Sequence, residues 1–161
     1  MPFANKCRGR LLKQAGLTLL ELIISCAILL VLASAALPIA RYSNIRMKEA
    51  NLRFALLSMR EAIDRYKDAA DHNQIKVEVG TEGYPPDLET LVKGVQLGST
   101  SDKKIHFLRA IPTDSITGKK DWQLFSVSDP PDATKWSGKN VFDVRSTSRE
   151  TALDGTKYSD W

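Results

Sequence analysis

Residues 17–40 read LTLLELIISCAILLVLASAALPIA, and everything else in the chain is organised by that stretch. It holds 24 residues and one charge, Glu21. As a helix rising about 1.5 Å per residue it reaches about 36 Å, enough for a hydrocarbon core of about 30 Å. A helix apolar on all its faces is hard to bury inside a soluble domain cut from only 161 residues, so membrane insertion is expected. Upstream lie Lys6, Arg8, Arg10 and Lys13 with no acid among residues 1–16, which places that end in the cytoplasm by the positive-inside rule.

The charge balance follows the same division. The chain carries 23 Lys and Arg against 19 Asp and Glu, a formal +4. Removing the four leader cations leaves 19 against 19, so residues 17–161 are formally neutral. A basic nucleic-acid footprint is therefore not supported, and Trp122, Trp136 and Trp161 are expected in the core or at subunit contacts.

Downstream, Leu52, Leu56, Met59, Ile63, Tyr66 and Ala70 recur at alternating steps of four and three, the stripe of an amphipathic helix. Glu49 before Arg53 and Glu61 before Arg65 support the solvated face. One helix over about 18–72, roughly 80 Å long, is predicted. Pro38 lacks the N–H that would bond the Ser34 carbonyl, so a kink is expected there, the alternative being that the chain leaves the helix.

Beyond residue 73 the texture changes. Asp87 is positioned to cap a short helix over Leu88–Lys93, stopped by Gly94. Residues 95–104 read as polar loop, and 121–127 (DWQLFSV) and 140–146 (NVFDVRS) as strands. The expected class is α+β: a long kinked N-terminal helix, half membrane-spanning and half amphipathic, packed on a small antiparallel sheet. The domains are a basic leader over 1–16, an apolar helix over 17–40, and a head over 41–161. Residues 41–72 of the head form the amphipathic helix, and 73–161 supply the loops and sheet.

Three readings of the N-terminus compete. Ala33-Ser34-Ala35 satisfies a signal-peptidase rule, which would release a secreted periplasmic binding domain. The apolar run alone would make an uncleaved anchor. The third reading rests on Gly16-Leu17-Thr18-Leu19-Leu20-Glu21, which follows a short basic leader and opens an apolar helix. In that setting the hexapeptide resembles the class III signal of type IV pilins and pseudopilins, with Leu17 where the family usually has Phe. The resemblance implies cleavage between Gly16 and Leu17 by prepilin peptidase, N-methylation of Leu17, and assembly through Leu17, Thr18 and Glu21. A carboxylate inside an apolar helix costs roughly 2.5–3.5 kcal/mol, so Glu21 needs a partner. Cleavage would create one, an amine one turn away, and the resemblance implies pairing with the amine of a neighbouring subunit. The local alternative is that Glu21 complements its own helix dipole.

Later motifs narrow the resemblance. Tyr84-Pro85-Pro86-Asp87-Leu88-Glu89-Thr90-Leu91-Val92, Phe107-Leu108-Arg109-Ala110-Ile111-Pro112-Thr113-Asp114 and the final Asp160-Trp161 are similar to landmarks of the major, G-type pseudopilin of type II secretion. Cys7 in the leader and Cys26 in the apolar helix cannot close the C-terminal disulfide loop usual in type IV pilins for motility, adhesion or DNA uptake, the nearest alternative family members. The resemblance implies a bacterial inner-membrane protein, single-pass with a cytoplasmic N-terminus and periplasmic head, which then enters a periplasmic fibre. Implied partners are further copies of itself, minor pseudopilins, prepilin peptidase, the inner-membrane assembly platform and membrane lipid. It also implies calcium, held by oxygens such as those of Asp143 and Asp154, although Arg149 stands where an acid would suit the ion. His72 and His106 are isolated and expected at the surface, and no catalytic motif is present, so the chain reads as a substrate of a processing enzyme.

Overall fold

The computed structural model describes residues 18–98 and 103–161. The chain falls into two units that divide between Arg41 and Tyr42. Helix α1 runs over Leu19–Asp71, with Pro38 inside it. The chain therefore does not leave the helix at the proline. At its far end α1 stops in a Schellman arrangement. Gln74 N–H bonds the Ala69 carbonyl at 2.9 Å and Asn73 N–H the Ala70 carbonyl at 3.0 Å. Asn73 takes the left-handed conformation at φ 55°, which asparagine tolerates better than most side chains.

In the unit Tyr42–Trp161, all six residues of the expected stripe are buried. Ala55, Ala62 and Ala69 widen the stripe, their small side chains letting the rest of the head approach the helix closely. Helix α2 (Leu88–Lys93) forms where expected. Asp87 Oδ1 accepts from the Thr90 amide at 2.6 Å and from its hydroxyl at 2.7 Å. Gly94 ends α2 at φ 76°, and a Cβ there would lie 2.8 Å from the Ile105 carbonyl oxygen, so this position requires glycine.

The β-structure is two separate antiparallel pairs where one sheet was expected. β1 (Val95–Gln96) pairs with β2 (Lys104–Ile105), and β3 (Trp122–Phe125) with β4 (Asp143–Ser146). The first pair occupies the ends of the stretch read as polar loop. Its ladder is made by backbone groups, and the apolar partners Val95 and Ile105 lean on the core while polar residues surround them. In β4 Val144 and Ser146 are buried and alternate with half-buried Asp143 and Arg145, the period of a strand with one inward face. The Tyr84–Asp87 segment is tied to the strand entry by Val141 N–H to Pro85 O at 2.8 Å and by Tyr84 set edge-on to Phe142, centroids 5.4 Å apart.

A carboxylate sits at the heart of the head. Asp114 has no solvent exposure. Its carboxylate accepts from the Ile116 amide at 2.7 Å, the Thr117 amide at 3.2 Å and the Ser146 hydroxyl at 2.6 Å. It thereby joins the loop after Pro112 to β4. Asp114→Ala leaves one buried and two half-buried donors without this acceptor and is expected to cost about 3 kcal/mol. A urea melt should show a lower midpoint at unchanged slope; an unshifted midpoint would mean that the loop holds without the carboxylate.

Candidate functional site

Two places on α1 concentrate the residues singled out from the sequence. The first is its start. Thr18 Oγ1 accepts the Glu21 amide at 3.2 Å, and Thr18 O accepts the Leu22 amide at 3.1 Å, so Thr18 is the N-cap. Thr18-Leu19-Leu20-Glu21 is a T-x-x-E string, the sequence form of a capping box. That signal is present in the sequence and gives Thr18 a local role besides the assembly role expected of it. Glu21 lies in the first helical turn, where the exposed amides of the helix end favour an anion. This is the position that the dipole alternative for Glu21 requires. Gly16 and Leu17 lie outside the described residues.

From Leu22 to Leu32 the helix is predominantly apolar around its circumference and open to solvent. Leu22, Ile23, Ile24, Ile28, Leu29, Leu30, Val31 and Leu32 are each more than half exposed. The stretch is long and apolar enough to cross a membrane, and none of it is buried within the chain. Such a surface is stable in water only when another apolar phase covers it. Cys26 lies exposed on this helix.

The second place is a clasp between α1 and residues 143–161. Glu49 Oε1 accepts the Leu153 amide at 2.8 Å and the Tyr158 hydroxyl at 3.0 Å. Burial, then the bond to the Glu49 carboxylate, pushes the Tyr158 phenol up to about 12. Its contribution to stability is present below the usual phenol value and is lost only as pH climbs toward 12. Arg53 lies 3.1 Å from Asp154 and stacks over the Trp161 ring at 4.2 Å. Bonds from the Thr156 hydroxyl and amide, with Arg53 behind them, hold the Asp154 carboxyl below its ordinary range. Arg60 reaches Asp143 at 2.7 Å, and Arg145 approaches the same carboxylate at 3.5 Å.

Asp143 and Asp154, read as candidate calcium ligands, are therefore both arginine partners. Among the described residues no three His, Cys, Asp or Glu side chains gather as a metal site. A hard cation needs six to eight oxygens with excess negative charge around it. This donor set, already neutralised by guanidinium groups, does not fit calcium. His72 and His106 both lie at the surface, each with a backbone carbonyl 2.8 Å from Nδ1.

Comparison with known proteins adds one finding. Residues 11–37 match the family described as the prokaryotic N-terminal methylation motif, which is typical of type IV pilin-like proteins. The matched residues include Gly16, Leu17, Thr18 and Glu21. No curated protein and no solved structure matches the chain.

Proposed function

We propose that the chain is a prepilin-like structural subunit, cut between Gly16 and Leu17, methylated on the new Leu17 amine, and polymerised through its N-terminal helix. The observation that carries this reading is the capped helix start joined to a fully exposed apolar surface, lying within a matched methylation motif. A single carboxylate at the head of an all-round apolar helix serves neither a secreted domain nor a plain anchor. It does serve a helix that leaves the bilayer to pack against its own copies. Leucine-rich faces then exchange lipid for one another, and the buried charge is tolerable only in the register that matches it.

Within this class we assign the chain to the major pseudopilin of a type II secretion system. The subunit would span the inner membrane with its head in the periplasm, be processed by prepilin peptidase, and be added to a homopolymer by the inner-membrane assembly platform alongside minor pseudopilins. Fibre growth would drive folded cargo outward, so the chain itself catalyses nothing. Support comes from the Tyr84–Val92 and Phe107–Asp114 landmarks. Both have structural work in the head: the first caps α2 and ties to the strand entry, and the second supplies Phe107 to the core and Asp114 to the buried polar junction.

Mass analysis of the mature N-terminus tests processing directly. The expected product begins with Leu17 and carries one added methyl group. A mature chain beginning at Ala36 would replace this reading with a secreted domain, and an intact Met1 start would replace it with an uncleaved anchor. Deletion of the gene separates the two fibre types: lost protein secretion is expected, whereas lost twitching or DNA uptake with secretion intact would assign the chain to a type IV pilus.

A further inference from the structure

Arg60 stands where two oxygen-bearing stretches meet, the start of β4 and residue 161. From α1 its Nε donates to Asp143 Oδ1 at 2.7 Å, and its Nη2 donates to the main-chain oxygens of Val144 at 3.0 Å and Trp161 at 2.9 Å. A side-chain carboxylate and two main-chain oxygens, from adjacent residues of β4 and from residue 161, are the kinds of donor that a hard cation collects. Here a guanidinium collects them. Two turns earlier on α1, Arg53 does the same for Asp154 while covering the face of Trp161.

The planar fork matters. Arginine sends separate N–H groups along fixed directions to Asp143, Val144 and Trp161, and a lysine ammonium cannot reproduce that spread. Its charge also excludes a competitor. A divalent ion brought to Asp143 would lie beside the fixed positive charges of Arg60 and Arg145, at the short range and reduced dielectric where like charges repel strongly. Displacing Arg60 instead would leave a half-buried cation unpaired.

We infer that Arg60 is the resident cation of this junction, fastening residues 143–161 to α1 in place of the calcium ion that the pseudopilin resemblance implies, so that the head closes without a divalent metal. The inference rests on the head alone. It stands or falls independently of processing at Gly16 or of the kind of fibre formed.

Full-length protein in detergent micelles, melted with tryptophan fluorescence as the readout, provides the test. Wild-type melting curves in excess EDTA and in millimolar calcium should coincide to within roughly 2 °C, whereas an ion bound at a hundredfold its Kd would raise Tm by roughly 10 °C. Arg60→Ala should lower Tm by roughly 10 °C in either buffer, with Arg60→Lys recovering only part of the loss. A wild-type Tm that falls on chelation, or an Arg60→Ala protein melting with wild type, overturns the inference. Should Arg60→Ala fail to fold, the wild-type chelation series and Arg60→Lys still decide it.

Discussion

Glu21→Gln is expected to abolish fibre formation while leaving the protein in the membrane and correctly processed. The substitution separates the charge of Glu21 from its hydrogen-bonding shape. Glutamine occupies nearly the same volume and serves in a T-x-x-E/Q capping box as glutamate does. It keeps the hydrogen-bonding shape at the helix start and removes the charge, and with it both the attraction to a neighbour's amine and the weaker attraction of about 0.3–1 kcal/mol to the helix dipole. Glu21→Ala removes the shape as well. The cap itself is worth about 1 kcal/mol, so Thr18→Ala should loosen the first turn and reduce fibre yield without eliminating it. The charge is the larger quantity. At an effective dielectric near 20, two opposite charges about 4 Å apart attract by roughly 4 kcal/mol, which is comparable with the cost of carrying an unpaired carboxylate into an apolar phase. Pairing Glu21 with the methylated amine of a neighbour would offset that cost only when the helices are in the assembled register. Pelleted fibres counted by negative-stain microscopy give the readout, with membrane fractionation and N-terminal mass as controls. Wild-type fibre yield from Glu21→Gln would reduce Glu21 to a capping residue.

The parts of this fold that could be read from the sequence are those governed by local periodicity. The stripe from Leu52 to Ala70 is buried because a 3.6-residue repeat dictates which side chains share a face, whatever they face. Asp87 and Gly94 bound α2 for equally local reasons, a side-chain acceptor at one end and a positive φ at the other. The two-residue strands β1 and β2 escaped because a ladder that short leaves almost no side-chain pattern, and its hydrogen bonds belong to the backbone. The division into two sheets escaped too, since strand partners are chosen in three dimensions. The T-x-x-E string was legible, yet the apolar setting of Glu21 points toward a distant partner before the near one. The clasp was beyond reach for a plainer reason. Glu49, Arg53 and Arg60 lie 83–109 residues from the groups they hold, and nothing in the spacing of a charged helix face says which loop will settle on it. Asp143 and Asp154 looked like free oxygen donors because Arg60 and Arg53, which bond them, are far away in sequence.

Tyr66→Ala should produce the largest loss of head stability among single substitutions and should leave the N-terminal events untouched. Tyr66 is 1% exposed, and its ring meets Phe107 edge-on, centroids 5.3 Å apart at 61°. Phe107 is held from other sides as well: its amide donates to Leu91 O at 3.0 Å, and its carbonyl accepts from Arg65 at 2.9 Å. The surrounding structure is therefore poorly able to collapse into the space a missing ring would leave. Truncating a buried aromatic costs about 4 kcal/mol, including the lost ring pair. Against a total of about 5–15 kcal/mol for an ordinary domain this is severe, a Tm drop of roughly 15 °C for a unit of this size. Tyr66→Phe separates the ring from its hydroxyl. Burial, with help from Glu78 and Asp87, raises that phenol above its usual value, so removing the oxygen discards a group the site already disfavours in charged form. Near-wild-type melting is expected for it. Because the proposed insertion and processing would draw on residues 1–41, the Tyr66→Ala precursor should still reach the membrane and lose its leader, then yield a head that melts early and is degraded before fibres accumulate. Glu21→Gln should show the converse, a head melting at the wild-type temperature in subunits that never assemble. A Tyr66→Ala head melting within a few degrees of wild type would mean that the stripe on α1 is not what holds the head together.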